Sequence, residues 1–458
     1  MRPPLRSCPH HVSSQIVNGM LRFLRRNQGI SRRLAIIPEP VVKRENAQIA
    51  RQAAHWRFAL CLVWLAATLW AAVAANSHFA EKAESPAVPA TFESFLRELW
   101  PDAQSRNISR GTYDRAFAGI TPDARVIAAT KHQPEYGRRV DAYVNSIVSE
   151  QRVAAGQRKA VQWLDILGAV ENRFAVDRWT IMGIWGIETS FGEERDGWDI
   201  IRSLATLAQA GYRHPYFRNE LLVALSLLQE GSMPRHEPYG SWAGAMGQPQ
   251  FMPSNFADYA VDFSGDGRRD IWNNVPDVLA SIANYLRKEG WNAALPFGFE
   301  VTLPADFDYR RPSHASFAQW RELGLRRPDS HEFLSRGEGI LFFPSGAAGP
   351  AFLVTTNLDV IKRYNNSDVY ALAVLHLADR IQGLPPISAR GPADDVQLSR
   401  AQRIALQSKL DELGYPVHDF EGHFDFELRD FIRAEQMKAG ILPDGHPTPA
   451  LLDRLGIH

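Results

Sequence analysis

One carboxylate stands out by its neighbours. Glu188 follows the apolar run Trp179-Thr-Ile-Met-Gly-Ile-Trp185-Gly-Ile187 and precedes Thr189-Ser-Phe191-Gly192. The run reads as a helix over 178–189, with Gly192 as a stop signal. An ionised glutamate at the end of so apolar a helix is costly to desolvate. Its pKa is therefore expected to be raised, so that it could hold a proton near neutral pH and act as a general acid. A helix-end glutamate facing water would do none of this. Glycosidases ordinarily pair two carboxylates, one as acid and one as base or nucleophile. No second acid in this chain stands in a comparably clear motif, so the chemistry on offer is that of a single acid/base group.

A second block, Ser241-Trp-Ala-Gly244-Ala-Met-Gly247-Gln-Pro-Gln250-Phe251-Met-Pro253-Ser254, reads as a glycine-rich loop. Ser241 and Gln250 bring a hydroxyl and an amide to it. With the Glu-Thr-Ser-Phe-Gly context of Glu188, this block resembles the lysozyme-like lytic murein transglycosylase B family, over roughly residues 90–385. The resemblance implies substrate assistance. Glu188 would protonate the glycosidic oxygen between N-acetylmuramic acid and N-acetylglucosamine, the N-acetyl carbonyl would stabilise C1, and Glu188 would then take the proton of the C6 hydroxyl. The product would be a 1,6-anhydromuramyl end. By the same resemblance Ser241 would orient the N-acetyl group, and Gln250, Tyr285, Tyr364, Asn365, Tyr370 and Tyr143 would line the sugar cleft. A hydrolytic muramidase or a non-catalytic wall-binding scaffold are the rival readings.

Asp262-Phe-Ser264-Gly-Asp266-Gly267-Arg268-Arg-Asp270 follows the start of an EF-hand loop, with oxygen ligands at positions 1, 3, 5 and 9, the Arg268 carbonyl at 7 and Gly267 at the turn. Position 12 is Asn273 rather than glutamate. The resemblance implies a modified loop with Asp277 as a later ligand. A structural Ca²⁺ is expected here, and no cofactor for catalysis.

The elements that must hold these residues are mostly helical. Stretches 160–170, 178–189, 218–229, 275–288 and 358–382 read as helices. Residues 299–303, 340–344 and 351–355 read as short strands, the last two as a hairpin. The expected fold is mainly α, a lysozyme-like helical catalytic domain with a small β element over 91–383. A Pro/Gly-containing linker at 384–395 follows. An amphipathic helix from Leu398 to Leu413 ended by Gly414, a second from Leu428 to Ala439 and the run Thr448-Pro-Ala-Leu-Leu come next. With these, residues 396–458 resemble a small three-helix peptidoglycan-binding domain, departing from its pattern at Glu435.

Composition supports a folded, exported protein. Of 458 residues, 45% are hydrophobic and 22% charged, which excludes global disorder. The totals of 51 basic and 51 acidic residues hide an asymmetry: residues 1–57 hold 11 basic and two acidic side chains, leaving 40 and 49 in the rest. That acidic balance speaks against nucleic-acid binding. Both cysteines, Cys8 and Cys61, precede the folded body. Phe58 to Ala75 is uncharged and mostly apolar, preceded by Arg57 and ending in small residues. It reads as the core of a secretory signal, or as a membrane tether, within an N-terminal extension over 1–75; residues 76–90 read as a flexible connector. The expected location is the periplasm and the expected partner is the glycan strand of peptidoglycan; nothing in the sequence names a protein partner.

Overall fold

The apolar run around Met182 forms the helix Arg178–Thr189, in a computed structural model that describes residues 91–131, 139–194, 197–234, 239–393, 395 and 397–457. The N-terminal extension, the apolar segment 58–75 and the 76–90 connector lie outside the described residues. No helix among those described is long and apolar enough to cross a membrane. Asp177 caps the Arg178–Thr189 helix, accepting from the Thr180 N–H at 2.8 Å. Six successive residues, Ile181 to Gly186, are buried, as expected of a helix apolar on all sides.

This helix packs along Asp368–Gln382. Gly183 permits the close approach: a Cβ there would lie 2.7 Å from the Val374 carbonyl oxygen. Val275–Lys288 and Leu164–Phe174 close the bundle from another side, and Ile200–Gln209 pairs with Tyr216–Glu230. Phe95, Leu167, Ile181, Trp185, Leu225 and Ile282 belong to the resulting core.

Two expected helices are each split. The stretch 160–170 is divided at Trp163 into Glu150–Gln162 and Leu164–Phe174. The stretch 358–382 is divided into Thr356–Tyr364 and Asp368–Gln382. Apolar periodicity registers a helix face but not a short break in it. At the second break Asn365 turns to an extended conformation and the Ser367 hydroxyl caps the next helix.

Among the described residues there are six strands. β1 (Trp198–Asp199) and β2 (Tyr239–Gly240) form a short antiparallel pair. β3 (Gly298–Val301), β4 (His314–Ser316), β5 (Glu338–Phe342) and β6 (Ala351–Val354) form an antiparallel sheet in the order β3-β6-β5-β4. The expected hairpin is present, with Ile340 opposite Val354 and Phe342 opposite Phe352. β4 escapes sequence reading because three residues carry no period. One face of the sheet builds a second core around Phe299, Phe317, Trp320 and Leu353.

Three further helices, Arg400–Glu412, Phe426–Ala439 and Pro449–Leu455, enclose a third core of Leu406, Leu410, Ile432 and Leu451. Glu435, where the sequence departs from its family pattern, is buried and satisfied: it accepts from the Tyr415 hydroxyl and the Lys438 ammonium, both at 2.7 Å. This module is bolted to the main body by Arg429 on Asp368 at 2.5 Å and by Lys362, which reaches Asp368 at 2.9 Å and the Phe424 carbonyl at 2.6 Å. Burial opposes the Asp368 charge, but the two cations hold its carboxyl well below the usual range. The connecting segment is also tied down, since Ser388 and Ala389 donate to the Glu300 carboxylate.

Candidate active site

Glu188 lies one residue from the end of its helix, half-buried. The chain leaves the helix through three consecutive left-handed residues, Ser190, Phe191 and Gly192. Phe191 tolerates that backbone because its ring is buried edge-on against Trp185, at 5.5 Å. The helix therefore ends at Thr189, as expected, and Gly192 closes the turn that follows it.

From the neighbouring helix, the Tyr370 hydroxyl donates to Glu188 Oε1 at 2.6 Å. Tyr370 is 3% exposed. Burial, and then the Glu188 charge, push its hydroxyl well above the ordinary phenol range, so it remains a donor. The Tyr364 hydroxyl is pushed up for the same two reasons; it donates to the Pro249 carbonyl at 2.6 Å. Tyr364 in turn packs on Tyr285 at 4.8 Å and on Phe251 at 5.9 Å between ring centres. The Tyr285 hydroxyl donates to the Arg363 carbonyl at 2.7 Å. These aromatic residues bind the helix end Thr356–Tyr364 to the glycine-rich loop.

The loop itself is built by antiparallel bridges from Met246 to Gly240 and Phe251. The Ser241 hydroxyl accepts from the Ala243 and Ala245 N–H groups at 3.3 and 3.1 Å. Gln250 adopts a left-handed backbone, and its side-chain amide donates to the Gly247 carbonyl at 2.9 Å.

Sequence reasoning missed the residue that docks this loop on the Glu188 helix. Gln248 is 6% exposed. Its Oε1 accepts from Trp185 Nε1 at 2.8 Å, its Nε2 donates to the Trp272 carbonyl at 2.9 Å, and its own carbonyl accepts from the Thr189 hydroxyl at 3.0 Å. Gly192 makes room for it: a Cβ at Gly192 would lie 2.3 Å from Gln248 Oε1. Glu220 was also missed. It is buried and accepts from the Ser254 N–H and hydroxyl at 2.9 and 2.7 Å, holding the far end of the block. A lone acid on the apolar face of 218–229 was its one sequence signal.

The structure thus gathers Glu188, Tyr370, Tyr364 and Tyr285 with the loop that carries Ser241 and Gln250. Asn365 ends the Thr356–Tyr364 helix and faces a hollow toward the C-terminal module. Tyr143 is largely buried, on a helix that packs against Asp368–Gln382.

Of the six metal-ligand candidates, Asp262, Asp266 and Asp277 bring carboxylate oxygens within 4.8 Å of one another. Asp277 is fully buried and accepts from the Phe263, Ser264 and Asp270 N–H groups. Asp262 accepts from Gly265 and Gly267. Asp270 instead accepts from Trp272 and Asn273, outside the trio. The Ser264 hydroxyl accepts from Asn274, and the Arg268 N–H donates to Asp266. Three converging hard oxygens fit Ca²⁺, which would complete its six to eight ligands with carbonyls and water.

Residues 91–379 match the family described as "Transglycosylase SLT domain", and residues 399–455 match a peptidoglycan binding domain. The chain is 33% identical over 226 residues to membrane-bound lytic murein transglycosylase B of Escherichia coli. That alignment spans 48% of this chain and 61% of the relative. Among solved structures, it is similar to SltB3 of Pseudomonas aeruginosa in complex with NAG-anhNAM-pentapeptide, at 43% identity and a TM-score of 0.72, covering 80% of this chain and all of that one. It is also similar to the lytic transglycosylase SLT35 of Escherichia coli in complex with calcium, at 25% identity and a TM-score of 0.52, over 64% of this chain and 92% of the other.

Proposed function

The chain belongs to the transglycosylase SLT domain family, and from that premise we propose that it is a lytic transglycosylase of peptidoglycan that uses Glu188 as its one acid/base group. The observation that carries this reading is the Tyr370 hydroxyl on Glu188 Oε1 at 2.6 Å, beside a sugar-binding loop braced on the same helix by Gln248.

Glu188 is placed to change protonation state twice. The negative end of its helix's dipole opposes a negative charge there, while the Tyr370 donor favours it. Protonated, Glu188 gives its proton to the oxygen bridging N-acetylmuramic acid and N-acetylglucosamine, and the C1–O bond breaks. The muramyl N-acetyl carbonyl, oriented by Ser241, supports the electron-poor C1. The Glu188 carboxylate then takes the C6 hydroxyl proton as O6 closes on C1. A 1,6-anhydromuramyl end results, Glu188 is protonated again, and no water is consumed. The anhydro sugar in the SltB3 complex is what this route would leave behind.

Gln250, Tyr364 and Asn365 contact the muramyl sugar, with Tyr285, Tyr370 and Tyr143 behind them. Residues 91–383 form the catalytic part and 396–458 hold the wall polymer, joined by 384–395. The protein acts in the periplasm, directed there by the apolar segment 58–75. A structural Ca²⁺ on Asp262, Asp266 and Asp277 would steady the turn that leads into Val275–Lys288; the acid/base chemistry does not use it.

Digestion of purified murein followed by mass spectrometry tests the proposal. Anhydro ends, one water lighter than reducing ends, are expected. Reducing ends would assign a hydrolase, and binding without release would assign a scaffold.

A further inference from the structure

A hollow of about 280 Å³ lies where the start of the Asp368–Gln382 helix meets the start of the Arg400–Glu412 helix. Among the described residues its wall carries four guanidinium groups, from Arg213, Arg400, Arg403 and Arg429, and the carboxylate of Asp368. That carboxylate is already answered twice, by Lys362 and by Arg429. Arg213 reaches Glu421 at 2.6 Å. The Arg403 guanidinium sits over Phe424, 4.1 Å from the ring centre, and donates to the Gly422 carbonyl. Arg400 makes no ion pair among the described residues, and it is exposed. The hollow is therefore offered, by Arg400, a positive charge on a planar fork that matches a carboxylate.

Its position gives that charge a use. Asn365 lines it, and Tyr370, the partner of Glu188, begins less than one helical turn after the Ser367 cap. An extended peptide spans about 3.3 Å per residue, so a five-residue stem reaches about 17 Å from the sugar that bears it. Ser367, on the wall of the hollow, and Tyr370, on Glu188, are three residues or about 4.5 Å apart along the axis of one helix, so the hollow opens within that reach. We infer that this hollow takes the free C-terminal carboxylate of the muramyl stem peptide, with Arg400 of the C-terminal module as its principal contact. The inference rests on the peptidoglycan reading above and extends it: the C-terminal module reads the peptide as well as the polymer.

The test is calorimetric and does not depend on turnover. A muramyl pentapeptide with a free C-terminus and the same compound as its C-terminal amide are titrated into the full chain and into Arg400→Glu and Arg400→Lys. The wild type is expected to bind the free acid about fivefold more tightly than the amide, the scale of one partly exposed charge pair. That preference should vanish in Arg400→Glu and persist in Arg400→Lys. Equal binding of acid and amide by the wild type, or a preference that survives Arg400→Glu, overturns the inference. A failure of the catalytic reading would show separately, as murein digests without anhydro ends.

Discussion

Tyr370 and Glu188 stand 182 positions apart in sequence and share a 2.6 Å hydrogen bond across two packed helices. The tyrosine comes from the buried face of its helix and the glutamate from the end of its own, so the carboxyl is oriented by a group that touches the rest of the core. Removing the carboxyl's acidity should be decisive. Glu188→Gln is expected to lower murein cleavage by about 10²–10⁴-fold, the usual worth of a positioned proton donor. Binding to sacculi and the melting temperature should not change. Cleavage at the wild-type rate would remove Glu188 from the reaction.

Tyr370→Phe keeps the ring in the core and deletes the donor. A hydrogen bond to a charged group is worth about 1.5–3 kcal/mol, so kcat should fall about tenfold to a hundredfold while KM moves little. A change in KM alone would mean that Tyr370 serves binding rather than the orientation of Glu188.

Gln248→Ala takes away the acceptor of Trp185 Nε1 and the donor to the Trp272 carbonyl. Leaving such buried groups without their partner costs about 1–3 kcal/mol each. Thermal melts should show a lower Tm, and activity should fall further than stability requires, since the loop bearing Ser241 and Gln250 loses its anchor. An unchanged Tm would show that the loop is held by its backbone alone.

The acidic loop predicts a metal response. Millimolar Ca²⁺ should raise the Tm of the chelator-treated protein, and Asp266→Asn, an exposed position, should abolish that rise without altering the metal-free Tm. A Tm indifferent to Ca²⁺ would rule out a structural role for the ion.

Stability should also depend on pH through Asp379. Burial pushes its carboxyl up to about 7, with Arg327 pulling it back in part. A carboxyl that titrates higher in the folded chain than in the unfolded one holds extra protons in the fold. Its contribution is intact below the ordinary value of 3.8 and is lost as the pH rises toward 7. His376 on the same helix is shifted down to about 4 by its burial and acts oppositely, losing stability as the pH falls below about 6.5. The difference between Asp379→Asn and the wild type isolates the first effect: the variant should melt higher at pH 8 and gain nothing at pH 4. An equal gain at both values would point to packing instead.

Much of this molecule is written in local sequence. The span of the Glu188 helix follows from its apolar residues and the Asp177 cap, the β5–β6 hairpin from two apolar runs around a glycine-rich turn, and the C-terminal helices from their caps and periodicity. These are interactions between near neighbours, and their signals survive in a linear reading. The identity of Glu188 as a lone acid in apolar company was legible for the same reason. Tyr370 entered only as a cleft residue, through the family resemblance; its bond to Glu188 was not legible, because a hydrogen bond between residues 188 and 370 leaves no mark in either neighbourhood. Gln248, between Gly247 and Pro249, carries no signal of its own, and becomes a brace only when Trp185 and Trp272 close around it. The charge of the hollow at the module junction likewise comes from arginines at 213, 400, 403 and 429 that no spacing relates. Tertiary packing alone decided these, since it sets which distant polar groups are withdrawn from water together and must satisfy one another.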